Sequence, residues 1–448
     1  MQSSPRMGSV IQPVSDAVEP TAASSSVPLR RSFSWVLSGN AFYALCQWGL
    51  ISVLAKLGTT ATVGEFALAL AITAPVFMLS NLFLRGIQAT DARSEFEFSH
   101  YFTLRSATTI AGLVIIVGIC LAVHHDRTTA LVVMLVGCAK AIESFSDVIA
   151  GLLQKHERLD QVSVSMMLKG ALSIVGFTTA FAYTRSLVVA SAALCGMWLM
   201  VLISYDVPRA RDLLSQREGF ISTDLAKELH LAKLAAPVGI VVALGSLGVN
   251  TPRYVLERYW GSSELGIFAA HAYLVVAVNL VINALAQSAI VRLSRNYADG
   301  HTRQYVKLIK QMSLIGAGLP AIGLMVAPVI GRQVLRLLYG PAYASHLNLL
   351  MLLIAVSAFS AVAAFVGCGM TSARRFWPQV PVITAALGCG LAVAFATVPK
   401  WGAMGAGFAL LATSAVQIIG GLIVVADAVK DRNNSGPVIL GEPRTRTA

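Results

Sequence analysis

Lys140, Glu143 and Asp147 recur at i, i+3 and i+7 within one apolar run, so a helix would carry them on a single face. An isolated charge at mid-bilayer costs ~2.5–3.5 kcal/mol, so these groups must be paired or put to use. Two chemistries fit. They form a salt-bridge staple, or a titratable carboxylate that couples ion movement to transport. The short loop to the next run sets Lys169 at a depth where it is expected to meet Asp147, and Asp91 joins the same set of ion-coupling or ion-pair candidates.

A second group of side chains can hydrogen-bond without titrating. Asn81, Arg85 and Gln88 are spaced i, i+4, i+7; Asn279, Asn283 and Gln287 are spaced i, i+4, i+8; Asn40, Tyr43 and Gln47 are spaced i, i+3, i+7. Asn250 and Arg253 stand in a further run, among Pro237, Gly239, Gly245, Gly248 and Pro252, whose composition permits a bend. Such faces avoid lipid and look toward water or each other. They either line a central cavity or form interhelical hydrogen bonds worth ~0.6 kcal/mol per contact.

These residues must be positioned by membrane helices. The chain is 56% hydrophobic and 12% charged, with a mean hydropathy of +0.70, whereas a soluble domain carries about 25% charged residues. A bilayer core of ~30 Å needs about 20 apolar residues as helix. Twelve segments qualify: 33–57, 64–88, 102–124, 129–153, 162–184, 186–205, 230–255, 264–291, 308–330, 347–370, 378–398 and 403–427. Around them, 1–32 reads as a disordered cytoplasmic tail, 33–205 as an N-lobe of spans 1–6, and 206–229 as a cytoplasmic linker. A C-lobe of spans 7–12 follows at 230–428, then a cytoplasmic tail at 429–448.

Lys and Arg concentrate in the loops on the side of the N-terminus, which predicts that both termini are cytoplasmic. That clustering also explains the net charge of +12 without nucleic acid. The six cysteines all fall in apolar runs, with no C-x-x-C or Cys/His cluster, so free thiols are expected, with no metal and no cofactor. No P-loop is present.

An internal repeat links the halves. Gly64-Glu65-Phe66-Ala67 is echoed by Gly266-Ile267-Phe268-Ala269, and the register that aligns Phe66 with Phe268 also aligns Asn81 with Asn283 and Arg85 with Gln287. Two six-span halves that both start from the cytoplasm make parallel repeats about an axis along the membrane normal.

At this point the sequence resembles a known family. Ser38-Gly39-Asn40, Gly64 to Ala67, Arg85 to Asp91, Gln287 to Gly300, Leu338 to Tyr343 and Pro399 to Ala409 are similar, in order and spacing, to the polysaccharide transport family of the MOP exporter superfamily. The resemblance covers about 33–428 and implies an all-α, MATE-like membrane protein of two six-helix lobes. It further implies a non-enzymatic flippase that moves undecaprenyl-diphosphate-linked oligosaccharide units across the bacterial cytoplasmic membrane by alternating access, coupled to an ion gradient. Its implied partners are the lipid-linked substrate, membrane lipids, and a polysaccharide polymerase with its export machinery. On this reading Arg85, Arg253 and Arg292 are candidates for the diphosphate, or else snorkelling anchors. A lipid II or multidrug exporter of the same superfamily is the alternative. A membrane glycan polymerase or ligase would need a large outer loop that the chain lacks.

Overall fold

The computed structural model describes residues 29–91, 94–123, 126–214, 219–375 and 377–434; the tails expected at 1–32 and 429–448 lie mostly outside them. Every regular element among the described residues is helical. Nine helices there are long and apolar enough to cross a membrane. Leu225–Ala298, at 74 residues, would be about 110 Å long if straight, several times the bilayer core. It turns instead at Gly261, which takes φ 76°, ψ 179°. Gln379–Asn434 turns likewise at Gly402, with φ 52°. Dividing both at glycine, and including the charged fourth span Arg127–Lys155, gives the twelve expected spans.

Three details depart from expectation. The second span is not one rod: Thr60–Asn81 ends at Leu82 and Phe83, both left-handed (φ 47° and 55°), before the short helix Leu84–Thr90. A Cβ on Gly239 would stand 3.0 Å from the Leu82 Cα, so the seventh span presses on this break. The seventh span itself runs unbroken through Pro237 and Pro252, and its bend lies at Gly261. The sixth span continues past Val201, through a π turn at Leu202–Asp206, into Val207–Leu213. The first residues of the linker expected from 206 therefore continue this helix, to Leu213.

The apolar cores show how the lobes meet. On the side where the first described helix begins and the last ends, the core is divided in two. One groups Leu84, Phe96, Tyr101, Leu152 and Leu202 with Leu231 and Ala235 of the seventh span. The other groups Ile282, Leu293, Tyr305, Phe365 and Val425. From mid-span to the opposite side a single core joins both lobes, from Leu54, Phe66 and Phe177 to Leu265, Phe268, Leu335 and Val398.

The repeated glycines stand at that junction. A Cβ on Gly64 would lie 1.7 Å from the Ser262 carbonyl oxygen, and one on Gly266 would lie 1.9 Å from that of Thr60. Only glycine permits two backbones to approach this closely. Thr60 and Ser263 hydroxyls hydrogen-bond across the seam at 2.5 Å, the Trp48 indole donates to the Tyr339 hydroxyl at 2.7 Å, and the Tyr254 hydroxyl donates to the Ala71 carbonyl.

Candidate functional site

The N-lobe interior holds a connected polar cluster on the side of the chain ends. Its centre is Arg105 of the third span, whose side chain is 0% exposed. Its guanidinium donates to Asp147 Oδ2 at 3.1 Å and to Asn81 Oδ1, which also accepts from the Ser144 hydroxyl at 2.9 Å. Sequence reasoning missed Arg105 because, close to the start of an apolar run, it looks like a headgroup-level charge. Tertiary packing buries it there between the second and fourth spans.

Arg85 reaches the other Asp147 oxygen at 3.5 Å and the Gln154 amide oxygen at 3.3 Å, and its side chain is 33% exposed. One carboxylate thus serves two guanidiniums. Arg105 takes the shorter, buried contact, and Arg85 takes the longer one and stays partly exposed.

The pair expected between Asp147 and Lys169 does not form. Lys169 is bound instead to Asp206 at 2.9 Å, with side chains 8% and 2% exposed. The π turn carries Asp206 into the lobe, which a linker assignment could not foresee. Asp206→Ala should destabilise the protein by ~3–5 kcal/mol, because it strands a buried ammonium, and replacing Lys169 with Met in the same chain should recover most of the loss. Thermal unfolding of the single and double variants in detergent measures this; losses that simply add would show that the two are uncoupled.

Lys140 and Glu143 pair with each other at 2.7 Å, and the Tyr43 hydroxyl donates to the second carboxylate oxygen at 2.8 Å. The Lys140 ammonium also lies 5.4 Å from the Trp198 ring centroid. In these pairs four cations (Arg85, Arg105, Lys140, Lys169) face three carboxylates (Glu143, Asp147, Asp206).

Several other expected site residues have local duties. Gln88 is buried at 1% exposure, with its amide set between the Val148 carbonyl and the Leu152 N–H of the fourth span. It packs against the fourth span, because the break at Leu82–Phe83 takes it off the Asn81 face. Asn40 gives its amide to the Val36 carbonyl of its own helix at 2.9 Å, and Gln47 is half-buried one turn beyond Tyr43. Asn250 is buried, donating to the Ser246 carbonyl at 2.8 Å and accepting from Arg253 at 2.9 Å.

Asp91, an ion-coupling or ion-pair candidate, braces the following loop and pairs with Lys155. It accepts from the N–H of Glu95 and Phe96 at 3.0 and 3.2 Å, and Lys155 lies 3.6 Å away. Burial pushes its carboxyl upward, but those two N–H groups and the Lys155 ammonium outweigh burial and hold it below the usual carboxylate range. Arg292 lies exposed at the end of the eighth span, in a groove apart from the cluster. The side chains of Asn279, Asn283 and Gln287 lie outside the described residues.

A family model described as "Polysaccharide biosynthesis protein" matches residues 29–294, more than half of the chain and the whole of the N-lobe cluster. The chain belongs to this family. It is similar to the capsular polysaccharide biosynthesis protein CapF of Staphylococcus aureus, at 26% identity over 393 residues, covering 87% of this chain and 97% of that protein. Among solved structures it is similar to the lipid II flippase MurJ in an inward closed conformation, with a TM-score of 0.68 at 10% identity, covering 88% of each chain. A mutant of the Vibrio cholerae MATE transporter VcmN matches with a TM-score of 0.59 at 12% identity, covering 91% of this chain and 97% of that one. At such identities the structures speak to fold alone, and the fold is that of the MOP superfamily: a multi-pass, two-lobed helical membrane protein.

Proposed function

We propose that this polysaccharide biosynthesis family member flips undecaprenyl-diphosphate-linked oligosaccharide units across the bacterial cytoplasmic membrane by alternating access. The observation that carries the reading is the Arg85 guanidinium, one-third exposed and holding only the longer of the two arginine contacts to Asp147. A diphosphate needs fixed, planar, bidentate donors in a wet path, and Arg85 supplies them with Gln154 holding its Nε. The family match and the similarity to CapF support a glycan cargo. Chain ends in the cytoplasm would put the divided core and Arg85 inward and the glycine seam outward, an arrangement suited to receiving substrate from the inner leaflet. Glu143, clamped by Lys140 and Tyr43, is the carboxylate best placed to link transport to an ion gradient.

The test is a deletion strain complemented by the gene. Without it, lipid-linked oligosaccharides should accumulate with their sugars accessible only from the cytoplasmic face of inverted vesicles, and complementation should clear them. Accumulation on the outer face would move the defect to a later step and overturn the flippase reading.

A further inference from the structure

The C-lobe carries a second basic site, apart from the N-lobe cluster. Arg292 and Arg295 from the eighth span and Lys307 from the ninth line an open groove of about 370 Å³, with Asn296, Gln304 and Gln311 between them. The spacings 292/295 and 304/307/311 place these groups on the facing stripes of two adjacent helices. No carboxylate lines the groove, and none of its three cations has an acidic partner among the described residues.

The tenth span, Leu347–Ser372, which packs against the ninth, contains no Asp or Glu. Lys307 is exposed in the groove beside two arginines. Toward the membrane centre, one turn from Arg295 and from Gln311, the same stripes become apolar and exposed at Val291, Leu314 and Ile315.

A cationic, amide-lined cradle at the headgroup level, continuing into an exposed apolar stripe, has the profile of a lipid site. The geometry points to this groove as a binding site for the phosphodiester headgroup of an anionic membrane phospholipid, with its acyl chains along Val291, Leu314 and Ile315. The phospholipid supplies the anion that no carboxylate supplies in this groove, whatever cargo the central path carries.

Native mass spectrometry of the full chain in detergent, with phosphatidylglycerol or phosphatidylethanolamine added, tests the assignment. Wild type should retain phosphatidylglycerol in preference. Each cation near an anionic headgroup is worth roughly five-fold, so Arg292→Gln, Arg295→Gln and Lys307→Gln together should weaken retention on the order of 100-fold. Arg303→Gln with Lys310→Gln, exposed on the same stretch but outside the groove, should leave it nearly unchanged. Equal retention of the two lipids by wild type, or equal losses in both variants, would overturn the site. Displacement of the lipid by equimolar inorganic pyrophosphate would assign the groove to a diphosphate ligand and overturn the phospholipid assignment.

Discussion

Replacing Arg85 with glutamine should abolish glycan export while the protein still reaches the membrane at normal levels. The two arginines on Asp147 predict opposite outcomes. Removal of Arg85 leaves Asp147 with its shorter, buried partner Arg105, so the lobe interior stays balanced and folding is spared. Removal of Arg105 strands the carboxylate and the Asn81 and Ser144 groups around it, so Arg105→Gln should lower protein level instead. Arg85→Lys keeps the charge but loses the Nε contact to Gln154 and the bidentate fork. With a charged hydrogen bond worth ~1.5–3 kcal/mol, its export should fall roughly 10- to 100-fold. Export measured on level-matched membranes separates these cases, and normal export by Arg85→Gln would remove Arg85 from the substrate path.

Gly64→Ala is the second substitution with a large expected effect, although it adds a single methyl group. That methyl would fall 1.7 Å from the Ser262 carbonyl oxygen, and the obstacle is backbone, which cannot rotate away. Overpacking of this kind costs ~1–3 kcal/mol, which by population shift moves the sealed state about 10- to 100-fold toward open ones. Gly266→Ala, its repeat-mate against the Thr60 carbonyl, should act in the same way, whereas Gly118→Ala, with open space around it, should be silent. Cysteines at Thr60 and Ser263, whose hydroxyls now touch, report the seam directly. Cross-linking between them should drop in the Gly64→Ala background in step with export. Undiminished cross-linking together with full export would show that the seam tolerates the methyl and takes no part in the cycle.

The amino-acid sequence determined by itself whatever depends on solvent. A chain with so few charges, cut into twelve apolar runs, has helices across a bilayer as its stable solution, because each backbone polar group must be satisfied within its own segment. The repeat of Gly64 to Ala67 at Gly266 to Ala269 was legible as symmetry, and the face shared by Lys140 and Glu143 was legible as a pair.

Tertiary structure alone decided which of these groups meet. Asp147 chose Arg105 over Lys169, and Lys169 found Asp206, because partner choice depends on helix rotation and on a π turn that no spacing rule displays. Gln88 left the Asn81 face because two left-handed residues broke a run that periodicity reads as continuous. The repeated glycines acquired their purpose only when two helices far apart in sequence crossed at the seam. Periodicity fixes which residues share one helix, whereas contact between helices depends on rotation, breaks and depth, and those are set when the whole bundle packs.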